Sequence, residues 1–180
     1  VKPKFFQFLM LGGLTIFAFP AKAHRLDEYL QATVVSITRQ HIDVILRLTP
    51  GKNEFPRILR QMDTNGDGSL SEQEQYKYAQ SVAGRLSFSL DHIRIPLKLE
   101  EYAFPPIAEL QAGSGIIRLY FKVTLDLKPG LHQLRYTNQG VDPDTVYSVN
   151  GLLPHDPAVH VLHQQRSVNQ SVYELDFTVD

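Results

Sequence analysis

Cysteine is missing altogether from this 180-residue chain. Its absence excludes disulfide staples, thiolate zinc sites, cysteine nucleophiles and a lipid-modified amino-terminal cysteine. Charge of one sign is missing too: 18 Lys and Arg stand against 19 Asp and Glu, a formal net charge of -1. Without a basic excess there is no electrostatic footprint for phosphate backbones or an anionic membrane surface, so nucleic acid is not an expected partner. No G-x-S-x-G, Walker loop or H-E-x-x-H occurs, and Asp27 and Glu28 are too unsupported to serve as acid and base. An enzyme is therefore not expected. There is no internal repeat and no low-complexity tract. What is present is a 43% apolar share, enough to bury the core of one ordinary domain and to exclude disorder of the whole chain.

The amino-terminal segment reads as a secretory signal. Lys2 and Lys4 form a positive region, Phe5 to Phe19 is an apolar stretch of 15 residues broken only by Gln7, Gly12, Gly13 and Thr15, and Ala21-Lys22-Ala23 is an A-x-A cleavage site. The stretch is shorter than the roughly 20 residues a spanning helix needs. Cleavage after Ala23 is expected, dividing the chain into a leader (1–23) and a mature domain (24–180) that is periplasmic or secreted. Removing Lys2, Lys4 and Lys22 leaves 15 basic side chains against 19 acidic, a mature net charge of -4.

Most of the mature chain alternates with period two, the pattern of half-buried strands. In Ile117, Leu119, Phe121, Val123, Leu125 and Leu127 one face is apolar throughout. Similar alternation runs through Ile42–Leu48, Leu86–Leu90, Ile93–Leu99 and Tyr173–Val179, with less regular strands at 30–38, 131–138, 145–150 and 159–165. About nine strands with turn signals at Lys128-Pro129-Gly130 and Asp142-Pro143 predict a mainly β protein, an antiparallel Ig-like β-sandwich. Pro96 and Pro105-Pro106 should mark edges or loops, because proline cannot donate to a ladder.

One segment, Lys52 to Gly84, departs from this pattern. Phe55, Ile58, Leu59 and Met62 follow helical spacing, with Asn53 as N-cap and Pro56 in the first turn. A second helix is predicted from about Ser71 to Ala83, with Tyr76, Ala79 and Ala83 on one face and Gly84 past its end. A helical hairpin is thus inserted between the second and third strands. Because the strands supply most of the apolar faces, the sandwich is expected to hold without it.

The loop between those helices reads Asp63-Thr64-Asn65-Gly66-Asp67-Gly68-Ser69-Leu70-Ser71-Glu72-Gln73-Glu74 and fits D-x-[DN]-x-[DN]-G-x5-E. It resembles an EF-hand calcium loop. Ca2+ takes six to eight oxygens, and Asp63, Asn65 and Asp67 fall at alternate positions of a tightly turning chain. Gly68 supplies the sharp turn, Ser69 a backbone carbonyl and Ser71 a bound water. Glu74 reaches back from the second helix to bind with both oxygens, which favours Ca2+ over octahedral Mg2+. Leu70 should pack toward the hairpin. Asp, Asn and Gly populate ordinary turns as well, but a simple turn needs neither the Glu at this distance nor an amphipathic helix on each flank. EF-hands pair, and this chain has one, so its apolar helix faces must bury against the sandwich or a second protomer in a homodimer.

His24-Arg25-Leu26-Asp27-Glu28-Tyr29-Leu30-Gln31-Ala32, the calcium-type loop and Val149-Asn150-Gly151-Leu152-Leu153-Pro154 together resemble the exported amino-terminal region of HupE/UreJ-type bacterial membrane proteins. The resemblance implies a periplasmic sandwich allied to a membrane portion that transports metal, often nickel. No later segment of this sequence is apolar enough to span a membrane, so the expected role is an exported module that partners a membrane protein.

Two function classes follow. One is a calcium-binding structural or interaction module. The other is an extracytoplasmic copper or nickel carrier using His24, whose amine, once freed by cleavage, and imidazole together chelate such ions. His155, His160 and His163 cluster in sequence, but on a strand His160 and His163 point to opposite faces unless a bulge intervenes.

Overall fold

A computed structural model describes residues 28–140 and 144–180. The predicted leader, His24, Asp27 and the Asp142-Pro143 turn lie outside those residues. The described chain forms β1 (Tyr29–Ile37), β2 (His41–Pro50), α1 (Phe55–Met62), α2 (Glu72–Ala83), β3 (Leu86–Leu90), β4 (Ile93–Arg94), β5 (Lys98–Ala103), α3 (Ile107–Gln111), β6 (Ile117–Thr124), β7 (Gly130–Asn138), β8 (Thr145–Gly151), β9 (Val159–Arg166) and β10 (Val172–Val179).

The strands make two five-stranded sheets, one ordered β5-β6-β2-β1-β8 and the other β4-β3-β7-β10-β9. The protein is mainly β, with every pairing antiparallel except β1 with β8, which is parallel. That parallel pair corrects the expectation of a purely antiparallel arrangement. Ile93–Leu99, predicted as one strand, is also divided. The chain leaves the second sheet after Arg94 and joins the first at Lys98, and Pro96, which has no N–H to offer a ladder, sits in the crossing. β6 ends at Thr124, short of the predicted Leu127.

Strand alternation sends Ile42, Val44, Leu46 and Leu48 of β2, Ile117, Leu119, Phe121 and Val123 of β6, and Leu86, Phe88 and Leu90 of β3 into one buried cluster. β1 is different, for it buries Gln31 and Thr33 between apolar neighbours. Both find partners across the core: Asn138 Nδ2 donates to Gln31 Oε1 at 2.8 Å, and the Thr33 and Tyr136 hydroxyls lie 3.0 Å apart. Satisfied in this way, the buried polar groups do not carry the penalty of an unmade bond.

The hairpin belongs to the same core. Phe55, Ile58 and Met62 of α1 and Tyr78, Ala79 and Val82 of α2 are buried in the same cluster as the strands, and the Tyr78 and Tyr29 hydroxyls meet at 2.7 Å, tying α2 to β1. Three details of the predicted helices are corrected. Glu54, not Asn53, is the N-cap of α1, with Pro56 in the first turn. Ser71 is the N-cap of α2 rather than its first residue. Tyr76 is 49% exposed, because the buried stripe runs through Tyr78, Ala79 and Val82 instead.

Candidate metal centre

The loop from Asp63 to Glu74 is folded on its own carboxylates. Asp63 accepts from the Gly66 N–H at 2.7 Å and the Gly68 N–H at 2.9 Å. Both glycines have positive φ, 74° and 78°, a conformation that side chains resist. Asn65 Oδ1 accepts from the Asp67 N–H at 2.8 Å while its Nδ2 donates to Asp67 Oδ2 at 3.0 Å. Asp67 Oδ1 in turn accepts from the Ser69 N–H and hydroxyl at 2.8 and 2.6 Å. The Ser69 hydroxyl, then the Ser69 N–H and the Asn65 amide, hold the Asp67 carboxyl below its usual range.

Glu74 closes the loop. Its Oε2 accepts from the Ser71 hydroxyl and N–H at 2.7 and 3.0 Å, and the Ser71 hydroxyl accepts from the Glu74 N–H, completing a capping box on α2. Its Oε1 does something a capping box does not require, reaching back to the Thr64 N–H at 2.9 Å, the Thr64 hydroxyl at 3.1 Å and the Asn65 N–H at 3.3 Å. The residue is only 5% exposed, and the Ser71 hydroxyl and N–H, aided by Thr64 and opposed by burial, draw its pKa down to about 2. Leu70 packs its side chain against the core, as the sequence predicts.

The predicted ligands are thus brought onto one short loop. They are not gathered into a cage: among the described residues no three His, Asp or Glu side chains stand close enough together to hold a metal ion. The donor chemistry nevertheless fits Ca2+, since Asp63, Asn65, Asp67, Ser69 and Glu74 offer only hard oxygens to an ion. No Lys or Arg is ion-paired with Asp63, Asp67 or Glu74 among the described residues. Sequence reasoning missed Thr64, which contributes two donors to Glu74, and the capping box, which the S-x-x-E of Ser71 to Glu74 spells out.

The histidines lie elsewhere. His155 is exposed, and His160 Nε2 is 2.9 Å from Asp180. A bulge in β9 opposite Asp176 and Phe177 lets His163 join His92 and His132 in lining a cleft of about 570 Å³. His132 packs on Phe177 and has both ring nitrogens engaged, Nδ1 at 2.8 Å from Asp91 Oδ2 and Nε2 at 2.8 Å from the Lys128 carbonyl. Both partners are acceptors, so the doubly protonated ring satisfies both.

Among the described residues no helix is long and apolar enough to cross a membrane. Comparison with protein-family models, curated proteins and solved structures gave no match to this chain.

Proposed function

We propose that this chain is an exported calcium-binding interaction module: an Ig-like sandwich carrying a single EF-hand-type hairpin, acting as the periplasmic or secreted partner of a membrane protein of the metal-transport kind. The observation that carries the calcium reading is the buried Glu74 carboxylate, drawn back from α2 across the loop to Thr64 and Asn65. A capping box alone accounts for Oε2 and leaves this reach unexplained. Asp63, Asn65 and Asp67 would hold the ion by side-chain oxygens, Ser69 by its carbonyl, Glu74 by both carboxylate oxygens and Ser71 through a water. A bound Ca2+ would supply positive charge beside Asp63, Asp67 and Glu74, none of which is ion-paired with a Lys or Arg among the described residues. Because α2 packs in the common core, ordering the loop steadies the surface around the hairpin.

Calorimetric titration tests the reading. The wild type should bind one Ca2+ in preference to Mg2+, and Glu74→Gln should bind more weakly and discriminate less. At a hundredfold excess over Kd, calcium should add ~2.7 kcal/mol to the stability of the wild type. Equal heats from the two proteins, or none from the wild type at millimolar Ca2+, would leave the loop an ordinary turn. Stoichiometric Cu2+ or Ni2+ uptake by processed protein, without Ca2+ uptake, would favour the carrier suggested by His24.

A further inference from the structure

One row of residues crosses the outer face of the first sheet from edge to edge. Strand register places Ser148 beside Ala32, Ala32 beside Arg47, Arg47 beside Arg118, and Arg118 beside Ala103. The only charged members are the two arginines, directly opposite each other and both exposed. Like charges in that position repel, since opposed side chains start only about 4.5–5.5 Å apart at Cβ. Neither arginine has an ion pair or side-chain hydrogen bond among the described residues, and Glu101 lies one row away opposite Tyr120. Around Ala32, Leu30 and Val146 in the row on one side and Val34 and Ile45 in the row of Tyr120 on the other form an apolar shelf that is half-exposed or exposed.

We propose that this face docks an acidic, partly apolar segment of a partner protein, with Arg47 and Arg118 clamping its carboxylates and the β1–β8 shelf receiving its apolar side chains. Two planar guanidinium groups side by side match discrete carboxylates through paired N–H donors. The alanines flanking the pair leave the space above it open. The acidic balance of the whole chain disfavours an anionic bilayer as occupant.

The test uses the full chain and a fluorescein-labelled peptide of alternating valine and glutamate, with a glutamine-for-glutamate peptide as control. The acidic peptide alone should bind, more weakly as salt is raised, and Arg47→Gln or Arg118→Gln should each lose tenfold or more of the affinity. Because either substitution removes a repulsion, the melting temperature should stay level or rise, which separates lost docking from lost folding. Binding that survives both substitutions, equal binding of the glutamine peptide, or no binding at millimolar peptide would overturn the proposal. So would a drop in melting temperature in both variants, which would make the pair structural. Arginine-dependent sedimentation with phosphatidylglycerol vesicles would assign the face to a membrane instead.

Discussion

Ile58 decides whether the helical hairpin is an appendage or part of the fold. It is fully buried on α1, in the same cluster as the inward residues of both sheets. Ile58→Ala removes Cγ1, Cγ2 and Cδ1, a transfer loss of roughly 2.4 kcal/mol at ~0.8 kcal/mol per buried carbon. The cavity left behind raises the cost toward about 3–4 kcal/mol, within the range found for such truncations. With an m-value of about 2 kcal/mol/M, the urea midpoint should fall by roughly 1.5–2 M. The experiment is best run in chelator, so that metal binding adds nothing. Two probes are needed: far-UV circular dichroism for the backbone, and near-UV dichroism of the tyrosines, six of whose eight lie on strands, undiluted by tryptophan because the chain has none. Both transitions should move together. A tyrosine transition that keeps its wild-type midpoint while helical signal is lost earlier would refute the reasoning and restore the hairpin as an independent insertion.

Two further outcomes follow from the buried and half-buried polar groups. Burial pushes the His132 imidazole down, but the Lys128 carbonyl and Asp91 carboxylate override it and raise the pKa above its ordinary 6.5. The stabilisation is therefore fully present below about pH 6.5, the unfolded value, and is lost as pH rises through the folded one; urea midpoints of wild type and His132→Gln should differ most on the acid side and converge in alkali. Asn138→Ala should cost about 1–3 kcal/mol by leaving Gln31 buried without its donor, and a smaller thermal-unfolding loss in Gln31→Leu/Asn138→Leu than in Asn138→Ala would confirm that origin.

The elements whose signal is local were legible in the sequence. β2 and β6 announce themselves by strict alternation, the hairpin by its change of period, and the sheet crossing by Pro96. α2 was legible in extent but not in phase, since Tyr76, Ala79 and Ala83 have helical spacing as good as Tyr78, Ala79 and Val82. What separates them is the sheet that α2 meets, and no local pattern carries that. α3, five residues after Pro105-Pro106, is too short to show a period. The parallel partnership of β1 with β8, far apart in sequence, and the meeting of Arg47 with Arg118 are properties of register. The candidate site divides along the same line: its ligand-type residues and spacing stand in the sequence, whereas the return of Glu74 to Thr64 is a matter of loop geometry.

Polar contacts are unequally distributed across the core, and the consequence is a difference between its two flanks. On the flank where β4 passes to β5, only residues 95–97 bridge the sheets, and behind them the inward side chains of β2, β3 and β6 are wholly apolar. On the opposite flank β8 and β9 are joined by residues 152–158, and Arg166 holds β8 through the Val149 carbonyl at 2.7 Å. Water entering there would meet Tyr173, Gln164, Gln31 and Asn138, groups able to exchange one hydrogen-bond partner for another. The two flanks of the sandwich therefore differ in kind: the side of β4 and β5 closes over a dry core with a short bridge, and the side of β8 and β9 closes with polar groups that tolerate water.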